Sequence, residues 1–469
     1  MAVTSSLGIG SGLDLSSLLD GLKSAEQQRL VPLQTRASSY NTKLSAYGTL
    51  QSTLSSFQSA AETLGDPALF QGVKTSSDSE SFTASAGSDA APGSYSLEVG
   101  QLARRQSLVS DGQVSTDDTI GSGGKITLSL GDGAGNSSAS VDIELAAGDS
   151  SLSGIRDAIN AADIGISASI VNDGSDTPYR LVLSSDATGT DSQISVSVAE
   201  SNDDGSTPLG DLLAYDSDAA SGAMQQSVAA RNAKLSVNGI AISSQSNTVE
   251  EAIQGVTLTL TGETTEPQTL TASRDTGTVK SALQKFVSAY NRVNTLSDNL
   301  TAFDSESNSQ GVLLGDSTAR TAEARVRSAL NTPIAGGAFS GLAEIGISLQ
   351  RDGTMEIDEE ALDDALANNL AGVSQLLAGS GETDGLSQVL VSTLETVAGD
   401  EGLLQSASDG VRTRIDGLSD RMEREQESID ATIARYQKQF VQLDSIMAQL
   451  NSTSNYLTQQ FESLSKQND

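Results

Sequence analysis

Reading forward from Met422, the positions reached by steps of four and three are Met422, Gln426, Ile429, Ile433, Tyr436, Phe440, Leu443, Met447, Leu450, Ser454, Leu457, Phe461 and Leu464. All but Gln426 and Ser454 are apolar. A seam that returns every 3.5 residues predicts a helix pressed along another helix, because alone it would leave that seam in water. Val411, Ile415 and Leu418 carry the pattern upstream, and the two successive steps of four around Met422 form a stutter, where a supercoil locally unwinds. At about 1.5 Å per residue the helix from Val411 to Leu464 is about 80 Å long and needs an equally long partner. The opposite end of the chain offers one. Leu30, Leu33, Ala37, Tyr40, Leu44, Tyr47, Leu50, Leu54, Phe57, Ala61 and Leu64 step by threes and fours, with a stammer at Leu44, Tyr47 and Leu50 beside Gly48. The two ends are therefore expected to pair with each other, or with copies in neighbouring molecules, and to carry the middle between them. The plainer alternative is two amphipathic helices of an ordinary α-helical domain.

The first amphipathic helix is expected from Leu13 to Arg29, capped by Ser11 or Asp14 and built on Leu15, Leu18, Leu19 and Leu22. Residues 1 to 12, small and polar, are expected to be flexible. Pro32 breaks or kinks the helix, and the second helix stops at Gly65-Asp66-Pro67. Near residue 75 the period changes to two. Phe82 and Ala84, then Tyr95, Leu97 and Val99, alternate with polar residues, as do the runs 126–130, 141–145, 166–171, 181–183 and 194–198. These predict half-buried strands. Leu152, Ile155, Ala158 and Ile159 have helical spacing between them.

The runs Val141–Val171 and Asn238–Leu260 share an order of strand, polar turn, short helix containing Ala-Ile, and strand, which suggests two related modules. The Asp, Gly and Ser-rich stretch Ser201–Ser221 is expected to be the hinge or loop between them. Past Arg274 helical spacing returns at Val279, Leu283, Phe286, Val287, Tyr290, Val293, Leu296 and Leu300. A helix is predicted over Ser317–Leu330 and a hairpin over Gly346–Ile357 around Asp352-Gly353. A further helix begins at Asp358 and carries Leu362, Leu366, Leu370, Val373 and Leu376.

Composition narrows the chemistry. The 469 residues suggest three or four domains, and the aromatic fraction of 3% without Trp predicts aliphatic cores. Cys and His are both absent, which removes thiolate and imidazole metal sites, a Cys nucleophile, a Ser/His/Asp triad and disulfides. The net charge is −34. It concentrates in the middle: residues 1–75 are neutral, 411–469 carry −2 and 76–410 the remaining −32. Nucleic acid is an unsuitable partner for so acidic a chain, whereas the near-neutral ends are able to associate closely. No stretch approaches a membrane span, and the start has no secretory signal pattern. The Ser, Gly, Thr, Asn and Asp content nevertheless has an extracellular character, so export by another route and a cytosolic location both stay open on composition.

No motif points to catalysis or to a cofactor. Gly8-Ile9-Gly10-Ser11-Gly12 lacks the preceding strand that a dinucleotide fingerprint needs. Gly121-Ser122-Gly123-Gly124-Lys125 lacks the spacing of a phosphate loop and is read as a turn before a strand. The acidic loops Asp173–Asp176 and Asn202–Gly205 lack the spacing of a calcium loop. Asp358, Glu359, Glu360, Asp363 and Asp364 are read as complementing a helix dipole rather than holding a metal. Arg104-Arg105, a basic pair in the acidic middle, is read as solvated or as a contact to an acidic neighbour.

Four stretches, in order, carry a family resemblance: SSLGIGSGLDLSSLLDGL with SAYGTLQSTLSSF behind it; GSYSLEVGQLARRQ at Gly93–Gln106; KFVSAYNRVNTL with GVLLGDSTAR at Lys285–Arg320; and QFVQLDSIMAQLNSTSNYLTQQFESL near the end. The chain resembles the flagellar filament cap family, also called hook-associated protein 2, with residues 111–230 matching only in style. The resemblance implies an α+β multidomain fold, with long helical coiled-coil legs from both termini and a β-rich head of two small domains. The expected domains are a terminal leg region of 1–42 with 430–469, a helical leg domain of 43–75 with 275–429, a proximal head domain of 76–118 with 228–274 and a distal head domain of 119–227.

It also implies export unfolded through the flagellar type III pathway, an export chaperone, and a homo-oligomeric ring, taken as a pentamer. That ring would sit at the distal tip of the filament, outside the cell, where it retains flagellin and promotes its folding and polymerisation. Contacts to the oligomer or filament are expected from Leu15, Leu18, Leu22, Leu33, Tyr40 and Leu44 at one end, and from Tyr436, Phe440, Leu443, Met447, Leu450, Leu457, Phe461 and Leu464 at the other. The rival readings are a flagellin-like structural or junction protein and a tip adhesin whose head binds host glycans. An enzyme is not expected, and no catalytic, cofactor or metal residue is assigned.

Overall fold

The computed structural model describes residues 12–132, 134–200, 206–304, 309–381 and 383–465. Its helices are α1 (Leu15–Gln27), α2 (Val31–Leu64), α3 (Leu152–Ala162), α4 (Gly210–Leu213), α5 (Thr276–Thr301), α6 (Ser317–Leu330), α7 (Glu359–Ala378), α8 (Leu386–Ala398) and α9 (Leu403–Ser465). Asp14 caps α1 by accepting from the Ser17 N–H at 3.1 Å, which satisfies one of the amide groups a helix start leaves open. The helix is interrupted by a turn at residues 28–30, and Pro32 falls in the first turn of α2, where its missing N–H removes no helical bond. From there α2 runs unbroken past Gly48 to Leu64, and Gly65 closes it. The stretch 1–11, including the first glycines and Ser11, lies outside the described residues.

The chain divides into two compact units, one of residues 1–67 with 279–469 and one of 68–278. In the first, α2 packs along α8 and α9, α6 packs on both of these, and α1 lies on α9. Leu54, Phe57 and Leu64 from α2, Leu283 and Phe286 from α5, and Leu390, Leu394 and Val397 from α8 are buried. The hairpin of strands Ile347–Leu349 and Met355–Ile357 forms as its Asp-Gly turn predicts. Asn291 of α5 anchors it by donating to the Met355 carbonyl at 2.8 Å and accepting from the Met355 N–H at 2.7 Å.

Two features of this unit differ from the expected pattern. α7 is interrupted at Asn369, whose backbone leaves the helical region and whose side chain caps the next turn at the Gly372 N–H. Asn competes for backbone bonds in this way, so a periodic apolar stripe does not guarantee a straight helix. α8 has no counterpart among the expected helices. It starts without a side-chain oxygen cap, at Gly385, and buries Leu386, Leu390, Leu394 and Val397.

The second unit has two hydrophobic cores. One gathers Phe82, Leu97, Val99, Leu235, Val256, Leu258 and Leu270 between a five-stranded sheet, in the order 73–77, 268–274, 93–101, 233–237 and 240–244, and a three-stranded sheet of 248–253, 256–260 and 82–86. The other gathers Ile126, Leu128, Leu152, Ile155, Leu181, Leu183 and Ile194, under a five-stranded sheet centred on 193–200 and 124–131 and a four-stranded one centred on 107–109 and 179–185.

Every strand expected from the period-two runs is present, and α3 lies between strands 137–145 and 166–172 as the first module predicts. The second module differs. Thr248–Ile253 is a strand paired with 256–260 through a bulge, so Ala252-Ile253 is not helical. Six residues between a tight connection and Gly255 are too few to form a stable helix but enough for a ladder. Ser201–Ser221 is not a hinge either. Residues 201–205, with the acidic loop Asn202–Gly205, lie outside the described residues, but Leu209, Leu212, Leu213 and Tyr215 are buried in the second core.

Candidate docking surface of the chain ends

The expected contact residues separate into three groups. Leu15 and Leu33 are buried, and Leu22, Tyr40 and Leu44 are half-buried, while Leu18 is exposed. On α9, Tyr436, Phe440 and Met447 are half-buried, whereas Leu443, Leu450, Leu457 and Phe461 are exposed. Leu464 belongs to α9, but its side chain is outside what the structure describes. α1 and α2 therefore occupy part of the seam. An ion pair between Arg29 and Glu425 at 2.5 Å marks where the N-terminal end meets α9.

The cover runs out along α9. Among the described residues Ile429 is the last fully buried one, at 0% exposure, and Ala448 the last half-buried one. From 449 to 463 every residue is exposed, including Leu450 at 57% and Phe461 at 68%. This stretch keeps its heptad-spaced apolar positions with no partner among the described residues. A helix does not hold such a seam in water by propensity alone. Val441, Ile446 and Tyr456 enlarge the exposed apolar area, and periodicity counted only along the 3.5-residue register misses them.

A polar cluster ties α2 to the start of α6. Asp316 caps α6 by accepting from the Ala319 N–H at 3.0 Å, and also accepts from the Tyr47 hydroxyl at 2.7 Å. Lys43 sits 2.5 Å from the same carboxylate. Burial by itself would raise the Asp316 pKa. The Lys43 ammonium, the Ala319 N–H and the Tyr47 hydroxyl outweigh it and hold the carboxyl below its ordinary value. This cluster joins residues 269 positions apart, and only the Asp-Ser-Thr start of α6 hints at it in sequence.

The remaining motifs are structural. Lys280 of α5 reaches both Glu359 and Asp363 at 2.6 Å, so the acidic opening of α7 is neutralised across the helix pair as well as by the dipole. Gly121–Lys125 turns into strand 124–131, and Lys125 pairs with Asp142 at 3.0 Å. Asp173 is bound by Arg180 at 2.5 Å, which holds its carboxyl far below the usual range. Arg104 meets Arg231 through paired backbone bonds. Among the described residues no group of three metal-ligating side chains comes together, and no helix is long and apolar enough to cross a membrane.

Helical chain ends close one unit, a β-rich insertion lies between them and an apolar seam is left open at the tail. Comparison with known proteins identifies the family. The model for the flagellar hook-associated protein 2 N-terminus matches residues 11–106, that for its C-terminus matches 230–452, and the flagellin hook IN motif matches 125–187. Flagellar hook-associated protein 2 of Escherichia coli K12 is 41% identical, with 98% of this chain and 99% of that protein covered. Its counterpart from Salmonella typhimurium LT2 is 39% identical, covering 99% and 100%. A crystal structure of the D1-D2-D3 domains of the flagellar cap protein FliD from Escherichia coli superposes with a TM-score of 0.65 at 37% identity, covering 78% of this chain and 99% of that one. The chain belongs to the flagellar hook-associated protein 2 family, the flagellar filament cap proteins. The hook IN motif spans the first module only, in keeping with the all-strand second module.

Proposed function

We propose that this protein caps the flagellar filament as a ring of about five copies, retains exported flagellin at the tip and promotes its folding and polymerisation. The observation that carries this reading is the open seam of α9 beyond Ala448, which fits insertion among the helical rods of a filament end. The contacts would be made by Leu18, Leu443, Leu450, Leu457 and Phe461, with Leu464 continuing the register. Leu15, Leu22, Leu33, Tyr40, Leu44, Tyr436, Phe440 and Met447 would set the geometry of the leg.

In this reading the terminal leg is 1–42 with 430–469, and the helical leg domain is 43–75 with 275–429. The proximal head is 76–118 with 228–274, and the distal head is 119–227. Export through the type III pathway with a chaperone, and placement outside the cell at the distal tip, belong to the same reading. The relatives, which are cap and hook-associated proteins, support it over a flagellin-like or junction protein. A tip adhesin would use the same exposed head and is compatible with capping.

Truncation tests the reading. Light scattering on the full chain is expected to find a species about five times the mass of one chain, and a version lacking 1–42 and 430–469 is expected to lose it. Cells carrying only the short version should shed flagellin into the medium and fail to swim. Normal swimming with intact filaments would overturn the proposal.

A further inference from the structure

The first core of the β-rich unit is closed on one side and open on the other. Strand 73–77 meets strand 82–86 across the sheets, and the Thr75 hydroxyl donates to the Ala84 carbonyl at 2.6 Å. On the opposite side Ile240–Ser244 ends the five-stranded sheet and Thr248–Ile253 ends the three-stranded one. The two edges are not bridged by a ladder, and Ile240, Ile242, Val249, Glu250, Glu251 and Ala252 line the groove between them.

The Asn238-Gly239 turn fixes which backbone groups face outward. Both residues have positive φ, at 49° and 80°, and the two-residue turn makes Val237 and Ile240 a hydrogen-bonded pair. The alternation of an antiparallel ladder then directs the N–H and C=O of Ala241 and Ser243 away from strand 233–237. Among the described residues these four groups make no hydrogen bond. The strand has the sequence Ile-Ala-Ile-Ser-Ser, with no charge and no proline, and Ile240 is 69% exposed. Edges that are not meant to pair are commonly blunted by charge, proline or a bulge. Here the bulge and the charges lie on the facing strand, where Glu250 and Glu251 are exposed and make no ion pair among the described residues.

We infer that the Ile240–Ser244 edge takes an extended, positively charged peptide segment of another protein as an added strand, with Lys or Arg side chains of that segment lying over Glu250 and Glu251. Free main-chain groups at alternate residues demand an extended partner backbone, and the acidic wall sets the charge of its side chains. The same edge of a second copy suits it poorly, because it would bring a second Glu250 and Glu251 against the first.

The test uses the full chain and two labelled ten-residue peptides, one alternating Val with Lys and one alternating Val with Glu, followed by fluorescence anisotropy. The Lys peptide is expected to bind at least tenfold more tightly than the Glu peptide. Ala241→Pro should weaken it at least fivefold without changing any charge, since proline there removes an N–H that strand 233–237 does not use. A thermal melt verifies that the variant is folded. If that variant does not fold, the double substitution Glu250→Lys and Glu251→Lys replaces it and should reverse the preference between the peptides. Equal binding of the Lys peptide to wild type and Ala241→Pro would show attraction by net charge alone and overturn the inference. So would an unreversed preference in the double variant, or self-association of the wild type that Ala241→Pro abolishes.

Discussion

Phe57→Ala is expected to destabilise the helical unit by about 3–5 kcal/mol, the range for a large aromatic deleted from a packed core. Phe57 is 0% exposed, and its ring lies 5.1 Å from Phe286 and 5.7 Å from Tyr290 in tilted contacts, so the deletion forfeits aromatic pairing as well as buried area. The neighbours are poorly placed to close the gap. They belong to α2 and α5, which tertiary bonds hold in place, among them the Asn291 bonds to the hairpin and the Ser387 hydroxyl donating to the Ala61 carbonyl. Chemical denaturation followed by circular dichroism measures the loss. Phe57→Leu should recover most of it, because a leucine refills much of the volume. A loss below about 1 kcal/mol for Phe57→Ala would mean that the α2–α5 contact is not a tight core.

The second large effect is expected at Asp316. Asp316→Ala removes the cap of α6 and leaves the Tyr47 hydroxyl and the Lys43 ammonium without their acceptor, at a cost of about 2–4 kcal/mol. Acid dependence distinguishes the charge from the cap. The native carboxyl titrates below its ordinary value of 3.8, so the unfolded chain takes up that proton first as pH falls. The stability Asp316 contributes is therefore complete above that value and is lost as pH falls through the lowered native one. Asp316→Asn, which keeps a capping oxygen, should be less stable than wild type at neutral pH. The gap between the two should narrow below about pH 4. A gap that stays constant into strong acid would show that the carboxylate charge contributes nothing.

Much of the architecture is legible in the sequence because its residues follow one local rule at a time. Ser317–Leu330 is bounded by Asp316 and Asn331 and forms as read. The hairpin at Asp352-Gly353 and the period-two strands likewise need only local information. One misreading is local: Thr248–Ile253 forms a hairpin with strand 256–260 through the turn at Gly255. The others arise where a distant partner decides. Leu209, Leu212 and Leu213 sit in a segment rich in Asp and Gly, yet the second core takes them in. α8 lies between glycines, and its apolar residues are explained by α2, α6, α7 and α9 around it.

The chain ends show the same division. The heptad seam was readable from spacing, and so was the need for a partner. How far α1 and α2 cover α9 was not, because the break before Val31 and the packing of Leu15 and Leu33 are tertiary facts. Asp316, Lys43 and Tyr47 come together across 269 residues and leave no contiguous motif.

The claim that the uncovered tail is a docking element can be tested at one position. The chain has no cysteine, so Leu457→Cys introduces a single thiol on the exposed seam. Its maleimide alkylation rate is measured on the isolated chain and on flagellar tips of intact cells that carry the variant. Insertion of the tail predicts a rate at least tenfold slower on the tips. An equal rate in both settings, with the cells swimming normally, would contradict the account.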